Sequence, residues 1–145
     1  MKTAVKTTRR KTWAQKRDIE KMPEVKPADI DFSDIKAGEK MLVPTPALVD
    51  AYIRQIPKGH FVPLATLRND LAMEYHAQKT CPVTSGIFLR IVSEAAYEEY
   101  QLGKPLSKIT PFWRAVAPNS PTAAKLTFGK ALLLAQQKKE HIVFN

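Results

Sequence analysis

The chain has 145 residues, of which 44% are apolar and 26% charged, a size and composition typical of one folded domain. Its 23 Lys and Arg outnumber 14 Asp and Glu; the resulting net charge of +9 favours a polyanionic partner, while the lack of any run of about 18 apolar residues excludes a membrane span. A lone cysteine, Cys81, excludes an internal disulfide framework, and no secretory leader pattern is found, so we expect a cytoplasmic protein.

The excess positive charge is concentrated at the start of the chain. Residues 1–27 hold nine basic and three acidic side chains, a net of +6, with few large apolar residues to offset about 1–2 kcal/mol of ordering entropy per residue. We therefore predict a flexible basic arm and linker over residues 1–40 and a folded body over residues 41–145. Arg9, Arg10 and Lys11 are the arm's candidates for contacting nucleic-acid phosphates, the alternatives being a solvated tail or membrane or protein contacts.

Two short helices are predicted at the start of the body. Thr45 can cap orphan amides and Pro46 suits the first helical position, so a helix begins there and must end before Pro57. Pro63 can open a second helix, whose leucines recur at spacings of three and four, while residues 68–70 face water.

The longest helix is predicted from about Ser85 to Tyr100, with an apolar stripe made of Ile87, Phe88, Ile91, Val92 and Ala95. Residues 109–116 are predicted to be a loop that leads into an extended piece, and a second loop lies between Pro118 and Pro121. A last helix spans about residues 130–139. The pattern predicts a mostly helical domain with little sheet.

No metal or nucleotide signature occurs in the chain, and its three histidines lie far apart, so we expect neither a metal nor a cofactor. Cys81 precedes Pro82 at a predicted helix start, where the helix dipole could activate a thiol. A thiol-dependent enzyme or acceptor using Cys81 is therefore one hypothesis, and a small structural side chain is its alternative.

Two short amphipathic helices joined by a turn, on a basic chain, allow a helix-turn-helix, with the segment after Cys81 as the recognition helix. Its exposed face carries Arg90, but also Glu94, Glu98 and Glu99, and these carboxylates would repel phosphates.

Several stretches stand in the order found in the DNA-binding domain of O6-alkylguanine-DNA alkyltransferases. They are Ile56-Pro57-Lys58-Gly59, the following amphipathic helix, a helix start at Thr84-Ser85-Gly86, Pro111-Phe112-Trp113-Arg114-Ala115-Val116, and Gly129-Lys130-Ala131-Leu132-Leu133-Leu134. The chain resembles this family from Val43 to Ile142, and residues 41–46 and 81–91 are similar to a bacterial branch that lacks the acceptor cysteine.

The resemblance implies a winged-helix-like fold that enters the minor groove of duplex DNA and flips a damaged guanine into a pocket. It implies that the body contacts DNA through Lys58, Thr84, Ser85, Gly86 and Arg90.

The chain departs from the family at the active-site loop, which is retained only as the vestigial segment Pro111, Phe112, Trp113 and Arg114. Phe112 and Trp113 stand where the family has its alkyl-accepting cysteine and the histidine that activates it, and neither can perform that chemistry. We therefore expect no catalytic residue here, while Arg114 is expected to help orient the domain on DNA.

Other functional positions of the family are also substituted. The base-rotating tyrosine falls on Leu64, the relay glutamate falls near Gln137, and no arginine finger is found near Thr84 or Ser85. The sequence therefore favours a non-enzymatic, alkyltransferase-like DNA-binding protein, with the sensing of damaged bases left open. A scaffold for protein partners is the remaining alternative, and an exposed Phe112–Trp113 pair would favour it.

Overall fold

The computed structural model describes residues 10–144, which form six α-helices, one turn of 3-10 helix and three short strands. In chain order these are α1 (Trp13–Arg17), β1 (Glu24–Pro27), β2 (Lys40–Val43), α2 (Pro46–Arg54), α3 (Leu64–Glu74), β3 (Lys79–Thr80), α4 (Pro82–Gln101), the 3-10 turn (Phe112–Arg114), α5 (Pro121–Lys125) and α6 (Ala131–Lys139). The prediction of a mostly helical fold with little sheet is confirmed. No helix within residues 10–144 combines the length and the apolar character needed to cross a membrane.

The sheet is small and has β2 at its centre. β1 runs antiparallel to β2, from Glu24 opposite Val43 to Pro27 opposite Lys40, and β3 runs parallel to β2. Because β3 leads directly into α4, the sheet sets the position at which the longest helix starts.

Local signals place α2, α3 and α6 close to where the sequence predicts them. The Thr45 hydroxyl accepts a hydrogen bond of 3.1 Å from the Leu48 amide, Pro46 occupies the first turn of α2, and the helix ends at Arg54, before Pro57. α3 follows Pro63, and α6 begins one residue after the predicted start.

The core surrounds α4. Leu89, Val92 and Ala96 of this helix are buried in one cluster with residues from α2, α3, the 3-10 turn and α6. The partners include Ile53, Leu71, Phe112 and Leu133, all of them almost fully buried. The hydrophobic effect therefore unites the helices in one core.

For residues 10–40 the structure corrects the expectation of a flexible arm and linker, because these residues pack on the body. The Arg17 guanidinium is buried against α4. It forms ion pairs with the adjacent Asp18 at 2.8 Å and with Glu99 of α4 at 3.0 Å. β1 pairs with β2, and Ala28 and Ile35 are buried. The apolar residues of this segment are too few to offset its ordering entropy by themselves, but side chains and a strand of the body supply the missing contacts. Arg9 lies outside the described residues.

One predicted loop contains a helical turn, and a helix that was not predicted follows the other. Residues 109–116 include the 3-10 turn in place of a loop leading into an extended piece, and Pro121 opens α5, where the Ser120 hydroxyl accepts a hydrogen bond of 3.2 Å from the Ala123 amide. Arg68 was predicted to face water. Instead its guanidinium donates to the Thr80 carbonyl at 2.8 Å and pairs with Asp34 at 2.9 Å.

Candidate nucleic-acid interface

The vestigial active-site loop is filled by its own aromatic side chains. Phe112 is 0% exposed and Trp113 is 3% exposed. Their rings pack edge to face, with centroids 5.4 Å apart. The Phe128 ring packs against Phe112 with a centroid distance of 5.7 Å, and it stacks on Tyr97 with a centroid distance of 4.0 Å. The pair therefore forms part of the core, which favours a structural role for it over a base-receiving pocket and gives no exposed patch for a scaffold.

Glu140 lies beside this loop and ties it to the C-terminal end of α6. Its carboxylate accepts hydrogen bonds from Trp113 Nε1 at 2.8 Å, from Arg114 Nε at 3.0 Å and Nη2 at 2.9 Å, and from the Gly59 amide at 3.0 Å. Burial would raise the pKa of Glu140, but the bonds from Arg114, Gly59 and Trp113 outweigh it and lower the pKa to about 2.

The Arg114 guanidinium makes its hydrogen bonds within the protein. Besides Glu140, its guanidinium donates from Nη1 to the Ile56 carbonyl at 2.8 Å. These contacts do not favour the expectation that Arg114 orients the domain on DNA, because its charge is paired with Glu140 and each of its three nitrogens donates within the protein.

Gln137 stands near the position where the resemblance expects a relay glutamate. Its amide donates to the backbone carbonyls of Trp113 at 3.0 Å and Val116 at 2.8 Å, which anchors the 3-10 turn on α6. The carboxylate at the loop comes from Glu140 instead. Gln137 and Glu140 are three residues apart, and residues at this spacing share a helix face. This spacing was the sequence signal that could have located the carboxylate.

Cys81 lies at the N-terminal cap of α4 and is 7% exposed, packed with Ala28, Ile35 and Met41. Ser85 is fully buried and donates to the Cys81 carbonyl at 2.6 Å, which corrects its assignment as a DNA contact. A buried thiol in an apolar cluster is what the structural reading of Cys81 expects. Among residues 10–144 no group of three or more His, Cys, Asp or Glu could hold a metal.

A groove of about 510 Å³ runs between α1, the first half of α4 and α5. Val83 and Ile87 on α4 project into it and are 57% and 52% exposed, so Ile87 belongs to this surface and not to the predicted core stripe. This α4 groove is lined by Trp13, Lys16, Val83, Gly86, Ile87, Arg90, Ile91, Pro121, Thr122 and Lys125.

The charges of the α4 groove are all positive. Lys16, Arg90 and Lys125 line it, and none of the described lining residues is acidic. Lys16 Nζ lies 4.3 Å and Arg90 Cζ 5.2 Å from the Trp13 ring centroid, so the indole holds two of the three cations beside the apolar floor. The groove can therefore attract an anion and also contact its apolar parts.

The acidic residues of α4 are engaged elsewhere. Glu98 accepts hydrogen bonds from the Trp13 and Ala14 amides at 3.3 and 3.1 Å, and thus caps α1. Glu94 accepts from the backbone and hydroxyl of Thr127 at 2.7 and 2.6 Å, and its carboxylate also lies 3.7 Å from Arg90 Nε, so it partly offsets the charge of this groove cation.

The third acidic residue, Glu99, pairs with Arg17 and with Lys104, and the hydrogen bond from Arg17 lowers the pKa of its carboxyl. The repulsion of phosphates expected from the sequence is therefore largely offset by α1 and by these partners.

The structure brings together only part of the predicted DNA-binding set. Gly86 and Arg90 line the α4 groove, and Arg10 and Lys11 are exposed just before α1. The Thr84 hydroxyl is buried and has no partner within the described chain, so its side chain is withdrawn from the surface. Lys58 is exposed but lies in a cleft beside Arg114, away from the groove.

Of the ten residues that line the groove, sequence reasoning named only Gly86 and Arg90 as site residues, and it missed the indole and the two lysines, Trp13, Lys16 and Lys125. The signal for the first two was a single tryptophan within a basic segment, three residues before a lysine. Lys125 carried no signal, because no helix was predicted between Pro121 and the last helix.

Comparison with known proteins finds no match to a family model, to a curated protein or to a solved structure. Function is therefore inferred from the geometry of the chain itself.

Proposed function

We propose that this chain is a non-enzymatic, alkyltransferase-like domain that binds duplex DNA through the α4 groove. The observation that carries the proposal is a groove with three cations, no acidic lining residue and the exposed first turns of a 20-residue helix. A helix of this kind is the element that DNA-binding domains insert into a groove of the duplex, with surrounding cations on the phosphates.

The neighbouring structure supports the same proposal. α3 and α4, joined through residues 75–81, are the helix pair of the proposed winged-helix-like arrangement, with α4 as the recognition helix. Arg10 and Lys11 extend the positive surface beyond α1, and the engaged carboxylates of α4 leave its first half free of acidic charge.

The proposed binding mode does not extrude a base. The family to which the resemblance points receives the flipped base in a pocket, but here Phe112 and Phe128 lie in van der Waals contact at the vestigial loop. We therefore expect equal affinity for plain duplex and for duplex containing O6-methylguanine, and no mass gain of the protein after incubation with the modified duplex.

The direct test is fluorescence anisotropy with a short labelled duplex, in a salt series from about 50 to 200 mM. The variant Lys16→Glu with Lys125→Glu should bind about tenfold more weakly or worse and reduce the salt slope by about two, because two phosphate contacts become repulsive. Lys36→Glu with Lys138→Glu is the control, since it changes the net charge equally at exposed sites outside the groove.

Equal affinity of the two double variants would refute the α4 groove as the DNA-binding surface. The absence of any binding by the unmodified chain at about 50 mM salt would refute DNA binding altogether.

A further inference from the structure

A second concavity, of about 310 Å³, lies beside the vestigial loop and is lined by its residues Pro111, Trp113 and Arg114. Its walls come from the end of α2, the turn at Lys58, the segment before the 3-10 turn and the last turn of α6. None of its lining residues also lines the α4 groove. We call it the Arg114 cleft, and it is at the lower end of the size range of small-molecule sites, about 300–1,000 Å³.

The Arg114 cleft has an excess of two positive charges. Glu140, the one carboxylate among the described lining residues, accepts four hydrogen bonds and neutralises Arg114. Arg54 pairs with Asp50 at 2.9 Å. Lys58 and Lys139, in contrast, form no ion pair with any described residue. These two ammonium groups are therefore free to bind an anion.

Two neutral polar side chains also line the Arg114 cleft. Gln136 lines the cleft, and its side-chain amide makes no hydrogen bond to a described residue. Ser107 places a hydroxyl at the same concavity, whose wall also includes Ile109 and Pro111. The unpartnered amide of Gln136 is not among the buried unsatisfied groups and reaches solvent, so it is available to form hydrogen bonds with an occupant of the cleft.

We propose that the Arg114 cleft binds a small phosphate monoester. A monoester carries about −1.5 to −2 charges at pH 7, which matches the two free lysines, whereas the phosphodiester of a nucleic acid carries only one charge per phosphate. Lys58 and Lys139 hold the phosphate oxygens, and Gln136 and Ser107 donate to or accept from the hydroxyl groups of the esterified part. This site is separate from the DNA-binding surface and does not depend on it.

Isothermal titration calorimetry of the full chain with ribose 5-phosphate tests the proposal. Ribose is the uncharged control ligand and diethyl phosphate the monoanionic diester control. We expect saturable binding of one ribose 5-phosphate per chain, clearly tighter than that of either control. Lys58→Ala with Lys139→Ala should weaken it by at least about tenfold, since charge-assisted hydrogen bonds to phosphate are the strong ones.

Two protein controls locate the site. Lys36→Ala with Lys138→Ala removes the same charge at exposed positions outside the cleft and should bind as the unmodified chain does. The groove variant Lys16→Glu with Lys125→Glu should also retain ribose 5-phosphate, which separates this proposal from DNA binding. Absent binding, equal binding of diethyl phosphate, or equal losses in the two alanine double variants would overturn the proposal.

Discussion

The indole nitrogen of Trp113 donates a hydrogen bond of 2.8 Å to Glu140 Oε2 in the interior of the protein. The same carboxylate pairs with Arg114, whose next residue, Ala115, is buried in the core. The vestigial loop is therefore held by a buried polar network in which each charge and donor named here has a partner, and such networks are strongly destabilised by the loss of one member.

Glu140→Gln should lower the free energy of unfolding at neutral pH by about 2–4 kcal/mol, because Arg114 loses its buried counter-charge. The pKa of Glu140, about 2, is below its ordinary value of 4.5, so the carboxylate stabilises the fold fully above pH 4.5 and loses this effect as the pH falls towards 2. Urea denaturation of both proteins across this range checks the prediction, with exposed Glu20→Gln as control. An unchanged difference between the two at every pH would contradict it.

Glu98→Gln should loosen α1 without unfolding the body. The carboxylate caps the Trp13 and Ala14 amides, and its interaction with the positive end of the helix contributes about 0.5–1 kcal/mol. Hydrogen exchange should become faster in α1 and stay unchanged in the core of α4. Glu74→Gln, exposed at the end of α3, is the matched control and should leave α1 protection as it is. Unaltered exchange in α1 after Glu98→Gln would show that the cap is not needed.

The Cys81 thiol should react slowly with a thiol reagent in the native protein, because it is buried with Ala28, Ile35 and Met41. We expect native labelling to be at least about a hundredfold slower than labelling of the chain unfolded in urea, since the reagent must await an opening of the structure. Equal native and unfolded rates would favour the hypothesis of a reactive thiol instead.

Thr45→Ala should destabilise the protein by about 1 kcal/mol, since the Leu48 amide loses its capping partner at the start of α2. Thr66→Ala, at an exposed position within α3, removes the same atoms from a helix interior and should change stability by less than about 0.5 kcal/mol. Equilibrium urea unfolding measures both. A loss at Thr66 as large as that at Thr45 would mean that capping is not the cause.

Helix starts were predictable because caps and prolines act within a few residues. Thr45 and Pro46 begin α2 as their side chains require, and α6 lies where its leucines indicated. The long helix α4 was also found, although it begins at Pro82, three residues before the predicted start. α1 was missed because five residues in a basic segment show no stripe, and its docking partner Glu98 lies 84 residues from Ala14 in the chain.

The candidate site was predictable only where it belongs to α4. Gly86 and Arg90 were named from the sequence and line the groove. Ser85, one position earlier, turns into the core because successive helical residues point in different directions, and the exact start of the helix decides which of them is exposed.

By itself, the sequence determined the helical character of the body, its main helix starts and its excess of positive charge, since these follow from local dihedral preferences, caps and a count of ionisable groups. Only the tertiary structure decided which of those charges remain available. Arg17, Arg68 and Arg114 are neutralised by carboxylates distant in the chain, whereas Lys16 and Lys125 both line the α4 groove. The pairing of charges depends on distances of a few ångströms that only folding creates, because Coulomb attraction between separated side chains is screened in the extended chain.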